Sequence, residues 1–204
     1  MAEIKASDVK ALRDATGAGM MDCKAALQEA DGDLEKAKEV LRLKGLAKSQ
    51  KLSERSADEG VVEAYLHTPD PGMPPKVGVL VELNCSTDFV AKTDGFRKLA
   101  KDIALHIAAT RPDYLSREDV PEDVIARERS IASEQAKGKP DHVVEKIVEG
   151  RLKDWFQERV LLEQIHIRDD KGKETIQDML DKTTADVGEP VRIRRFARFR
   201  VGGE

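Results

Sequence analysis

The chain has 204 residues, of which 40% are hydrophobic and 36% charged, enough apolar content for one ordinary core and a small appendage. Its net charge of -4, with both signs mixed, argues against a general nucleic-acid binder, and no apolar run approaches the length of a membrane span. Cys23 and Cys85 stand far apart without CxxC or Cys/His spacing, so both are expected to be small, reduced core residues with no metal or redox role. The start, Met-Ala-Glu-Ile-Lys, carries no apolar leader, and a cytoplasmic location is expected.

In chain order, Ser7 can cap a first helix running to about Thr16, with Val9, Leu12 and Thr16 on its inner side. Gly17-Ala18-Gly19 ends it, because glycine accepts the left-handed backbone by which a chain leaves a helix. A second helix is predicted over 21–30, with Cys23, Ala26, Leu27 and Ala30 on one face, and Asp31-Gly32-Asp33 breaks it. Asp33 then caps a third helix carrying Leu34, Ala37 and Leu41, ended by Gly45. These helices make a compact module over 1–46. Residues 47–59 are polar, with no stripe wide enough to bury, and read as a linker or an exposed helix. A second domain follows over 60–204.

Residues 60–66 are a candidate strand, and the proline-rich 67–75 turns the chain into a second, so the two pair antiparallel. In that second strand Val77, Val79, Val81 and Leu83 share one face while Gly78, Leu80, Glu82 and Asn84 share the other, the period of a half-buried strand. Cys85-Ser86-Thr87-Asp88-Phe89-Val90 then turns to small hydrogen-bonding side chains followed by an aromatic, which predicts a tight turn or a single capped helical turn. Phe89 at its tip is either a core residue covering the sheet end or, beside a carboxylate, an anchor for another protein.

After Thr93, a cap, the spacing of Phe96, Leu99, Ile103 and Ile107 predicts a helix to about 109, its apolar side widened by Ala100 and Leu105. Arg111-Pro112 ends it. Two charged helices over 121–136 and 141–164, separated by Lys137-Gly138-Lys139-Pro140, form an antiparallel hairpin in which Trp155 and Phe156 are packing residues. Asp169-Asp170-Lys171-Gly172 reads as a turn, and Thr175 with Asp178 as a capping box opening a helix from Ile176 to about Thr184. Over 191–201 the alternation returns. Val191, Ile193, Ala197, Phe199 and Val201 face one way, and Arg192, Arg194, Phe196, Arg198 and Arg200 the other, with Arg195 the exception. An arginine row can read RNA phosphates, but in an acidic chain it is expected to be the solvated or interface face of a strand.

Two stretches resemble the elongation factor Ts family. Residues 12–27, LRDATGAGMMDCKAAL, are similar to its N-terminal signature, and 82–92, ELNCSTDFVAK, to its core signature. Residues 146–152, KIVEGRL, are similar as well, whereas Ser86 stands where the family usually has Gln or Glu. The resemblance implies an α+β protein. An N-terminal three-helix module of the ubiquitin-associated type precedes a core with a three-stranded antiparallel sheet and a helical hairpin. It implies a guanine-nucleotide exchange factor that binds elongation factor Tu carrying GDP and promotes GDP release by displacing the bound magnesium ion. The residues it implicates are Thr87, Asp88, Phe89 and Val90 at the magnesium site of the GTPase, and Arg13, Met20, Met21 and Lys24 on the helical module. Taken alone, Met20 and Met21 suit a core plug and an adaptable binding surface equally. Many family members carry a second core half and a coiled-coil insertion, for which this chain is too short; a lone sheet with one open face then implies a homodimer.

No carboxylate pair, metal-ligand cluster or nucleophile–base arrangement stands out, and the four histidines are scattered. Gly17-Ala18-Gly19 lacks the Lys-Ser/Thr and the preceding strand of a phosphate loop. Direct nucleotide binding, a cofactor and enzymatic chemistry are therefore not expected. Two other classes remain open: a ribosome- or nascent-chain-associated binding protein, and a thiol hydrolase built on Cys85.

Overall fold

The computed structural model describes residues 4–16, 18–53, 55–170 and 172–203. Gly17, in the first expected break, and Lys171, in the turn expected after Asp170, lie outside the described residues. Helix α1 (Ala6–Thr16) buries Val9 and Leu12 against α2 (Met20–Glu29), which contributes Cys23, Ala26 and Leu27 to the same small core. Ser7 lies inside the first turn of α1 rather than at its cap, and its hydroxyl donates to Asp8 instead. Asp33 does cap α3 (Leu34–Ser53), its Oδ1 accepting the N–H groups of Glu35 at 2.9 Å and Lys36 at 3.1 Å.

Gly45 does not end α3. The helix runs through it for two further turns, and Ser49 and Leu52, within the stretch expected as linker or exposed helix, are buried. The reason lies in α8 (Ile176–Val187), against which this half of α3 packs. Ser49 donates its hydroxyl to Asp181 at 2.6 Å, and a Cβ built on Gly45 would stand 4.0 Å from that of Ala185. The glycine marks a helix crossing, a role that a propensity argument assigns to a terminus by default.

The sheet has the order β1-β2-β3, antiparallel throughout, with β1 (Glu59–His67), β2 (Val77–Cys85) and β3 (Arg192–Arg200). Gly60 pairs with Asn84 so closely that a Cβ would lie 2.1 Å from the Leu83 carbonyl oxygen. On one face Val79, Val81 and Leu83 are buried under α5 (Asp94–Thr110), which contributes Phe96, Leu99, Ile103 and Ile107 as the spacing requires. Thr93 caps α5 through the Phe96 N–H, and Arg111 ends it in the left-handed conformation.

The face assignment along β3 is corrected by a register shift opposite Glu82 and Leu83. Arg195 pairs with Glu82 but Ile193 with Leu83, so Arg194 is the extra residue of a bulge, which reverses every side chain beyond it. Val191 and Ile193 therefore enter the core, as expected, but so does Phe196 in part, while Phe199 and Val201 turn to solvent. Arg198 lies on the helix side, where its Nη2 donates to the Ala108 carbonyl at 3.3 Å.

Helices α6 (Glu122–Gln135) and α7 (Asp141–Arg159) form the hairpin, with a core of Val120, Ala132, Val148, Leu152, Phe156 and Val160 and with Trp155 packed against it. The α7 helix ends short of Gln164 because 161–163 tighten into a 3-10 turn that buries Leu161 in the main core. The guanidinium of Arg117 stacks on Phe156, 4.4 Å from the ring centroid. Thr175 and Asp178 make the capping box that opens α8, and Gly188 closes it in the left-handed region.

Candidate functional site

At the end of β2 the chain makes one helical turn, α4 (Asp88–Ala91), before α5 begins. Thr87 is its N-cap, extended at φ -130° and ψ 150°, with Oγ1 accepting the Val90 N–H at 3.4 Å. The other end is closed by Thr93, whose N–H and hydroxyl both donate to the Val90 carbonyl, at 3.0 and 2.8 Å. Ala91 is buried and Val90 is half-buried against the main core, so the turn is nailed down on its inner side. Phe89 points the other way and is 80% exposed. The reading of Phe89 as a core residue sealing the sheet end does not hold, because Ala91 and Phe96 already fill that space.

Electrostatics and neighbouring bonds stiffen the turn further. Asp88 pairs with Lys92 one turn on, and the bonded ammonium holds its carboxyl below the usual carboxylate range. The Cys85 thiol donates to the Thr87 carbonyl at 3.1 Å, and burial pushes that thiol up, the reverse of what a nucleophilic thiolate needs. Ser86 donates to the Ser56 carbonyl at 2.6 Å, tying the turn to the segment that enters β1. Sequence reasoning missed Glu189, whose carboxylate accepts both the N–H of Thr87 at 3.0 Å and its hydroxyl at 2.7 Å. No local signal marks it, since 102 positions separate the pair.

A family model described as Elongation factor TS matches residues 2–203. The chain belongs to the elongation factor Ts family. It is 53% identical over 201 residues to the elongation factor Ts of Moorella thermoacetica, covering 98% of this chain and 96% of the relative. The elongation factor Ts of Carboxydothermus hydrogenoformans is 56% identical over 95% of this chain and 87% of its own length. That of Syntrophomonas wolfei is 54% identical over 98% and 91%. Membership in the elongation factor Ts family gives the chain a role in translation elongation.

The second group of residues implicated by the elongation factor Ts resemblance lies on the helical module. Met20 and Met21, 54% and 75% exposed, occupy the first turn of α2, so neither plugs the core. Lys24 is exposed one turn further along α2, and Arg13 is exposed in the last turn of α1. An open apolar surface belongs to the sheet. On the face away from α5, Val62, Leu66, Leu80 and Phe199 are all exposed, and the pairing sets Leu66, Gly78 and Phe199 in one row across the strands. Among the described residues no group of three or more His, Cys, Asp and Glu is placed to hold a metal ion, and no helix is long and apolar enough to cross a membrane.

Proposed function

We propose that the chain is a guanine-nucleotide exchange factor for elongation factor Tu and that Phe89 is its working group. The observation that carries this is a large aromatic ring standing 80% exposed on a turn whose every other side is bonded or buried. An exposed aromatic on a rigid support loses little conformational freedom on binding and is suited to anchor an interface. In a GTPase, Mg²⁺ bridges phosphate oxygens and switch residues, so dislodging it removes a large part of the attraction for GDP. Phe89 inserts between partner helices beside that ion. Asp88 and Thr87 keep the inserted turn closed, and Val90 packs beneath it. Met20, Met21, Arg13 and Lys24 grip the GTPase from the helical module, the division of labour being a gripping N-terminal module and a working core over 60–204, joined rigidly where the second half of α3 packs on α8. No covalent bond is made or broken in this chain, and the action belongs to the cytoplasm.

The open sheet face adds a second partner, another copy of this chain. Val62, Leu66, Leu80 and Phe199 form an apolar surface of the kind that isolated proteins seldom leave uncovered, and a two-fold pairing of sheets covers both copies at once. Exchange is tested by release of labelled GDP from purified elongation factor Tu with and without the chain. The chain accelerates release without altering the overall GDP/GTP equilibrium, and GDP weakens binding of the chain by the same factor by which the chain weakens GDP. Release that is indifferent to the chain refutes the proposal.

A further inference from the structure

The turn that presents Phe89 is held from across the chain by Glu189. Its Oε2 accepts the N–H of Thr87 at 3.0 Å and its Oε1 the Thr87 hydroxyl at 2.7 Å. With the hydroxyl proton committed to the carboxylate, the lone pairs of Oγ1 are left to accept the Val90 N–H, which lies at 3.4 Å. The capping geometry of α4 therefore depends on a carboxylate outside the turn. Remove it, and the hydroxyl is free to rotate while the Thr87 N–H loses its acceptor.

Glu189 has little freedom of its own. Before it, Gly188 closes α8 at φ 75°, its N–H donating to the Thr184 carbonyl at 2.9 Å. After it, Pro190 has a fixed φ, and the Val191 N–H donates to the Thr184 hydroxyl at 3.0 Å in the interior. The connection from α8 to β3 is thus pinned on both sides of the residue, which makes its carboxylate a fixed point against which Thr87 is set.

We infer that Glu189 is a positioning residue for exchange. It orients Thr87, and through Thr87 it sets the angle at which the Phe89 ring enters the partner. The inference rests on the reading of Phe89 as the inserting group. A carboxylate that merely stabilised the junction between β2 and α8 would change how much protein is folded, and leave the maximal rate per folded molecule alone.

The test follows labelled GDP release from elongation factor Tu as the concentration of chain is varied, for the wild type, Glu189→Gln, Glu189→Ala, Thr87→Val and the double variant Glu189→Ala/Thr87→Val. Loss of a charge-assisted pair is expected to lower the maximal rate of Glu189→Ala about tenfold. The concentration giving half that rate is expected to move by less than about twofold, because the gripping contacts are untouched. Glu189→Gln keeps one acceptor oxygen for the Thr87 N–H but sets an NH2 donor where the second oxygen took the hydroxyl proton, so it recovers only part of the rate. Thr87→Val repeats part of the loss, since it removes the hydroxyl bond while its own N–H keeps the Glu189 acceptor, and the double variant loses less than the product of the two single losses because the hydroxyl bond is shared between them. Multiplying losses in the double variant, a wild-type maximal rate in Glu189→Ala, or a deficit that disappears on correction for folded fraction each overturn the inference. Should Glu189→Ala not fold, the same cycle with Glu189→Gln decides: a deficit that persists in the Thr87→Val background counts against it. A wild-type rate in Phe89→Ala overturns instead the underlying reading of the ring, so the two failures are distinct.

Discussion

His106 and His166 stand with ring centroids 5.8 Å apart in the interior, joined through the loop that follows α7. The Ile167 N–H donates to Nδ1 of His106 at 3.2 Å, so the ring hydrogen is on Nε2, facing Gln164 Oε1 at 3.0 Å. Protonation would set one N–H against another. Burial, and secondarily the neighbouring imidazole, lower the His106 pKa from 6.5 to about 4, against the hydrogen bond to Gln164, which acts the other way. Above pH 6.5 neither folded nor unfolded chain holds this proton. Between 6.5 and 4 the unfolded chain takes it up and the native one does not, so stability falls with pH across that window and levels off below it, by on the order of 3 kcal/mol in all. A histidine titration by NMR that finds this imidazole charging near pH 6.5 in the folded protein contradicts the assignment.

Phe89→Ala should leave the thermal midpoint nearly unchanged, within about 0.5 kcal/mol of wild-type stability, because the ring has almost no contacts to lose. The maximal rate of GDP release should fall roughly 30-fold, the scale of an interface anchor. Phe96→Ala, in the adjacent helix, should do the reverse, costing about 3–5 kcal/mol because that ring is 1% exposed. Melting curves and release rates measured on the same preparations separate the two; a large loss of stability in Phe89→Ala would count against the proposed role.

Gly45→Ala distinguishes a helix interior from a helix end. Within a continuous α3 the added methyl meets Ala185 at ordinary contact distance, and the change should stabilise by about 0.5–1 kcal/mol. At a left-handed terminus it would destabilise instead. Urea unfolding midpoints give the sign directly.

Leu80→Asp puts a charge at the centre of the open sheet face without touching the core beneath it. Sedimentation should find the wild type dimeric at micromolar concentration and the variant monomeric, with the same circular dichroism. A wild-type chain that sediments as a monomer at every concentration removes the proposed pairing.

How much was legible depended on how local each cause was. The Ser-Thr-Asp run predicts the capped turn at 87–91 because a threonine oxygen and an N–H three residues on need nothing else to meet. The valines of β2 and the apolar spacing of α5 predict their buried faces for the same reason. Gly45, the inner arginine of β3 and the histidine pair were read wrongly or passed over, since each is settled by a neighbour distant in the chain: Ala185 on α8, the bulge opposite Glu82, and the loop carrying Gln164 and His166.

The order of residues thus sufficed for the elements, their caps and their inner faces, and through two signature stretches for the family as well. It was silent on which way the Phe89 ring points and on what holds its support. Orientation came from competition for a limited interior: once Phe96, Ala91 and the β2 valines occupy the space under the sheet, the ring of Phe89 has nowhere to go but outward. Its support came from the return of the chain through α8, which delivers the Glu189 carboxylate to Thr87 at a distance no reading of neighbours along the chain can reach.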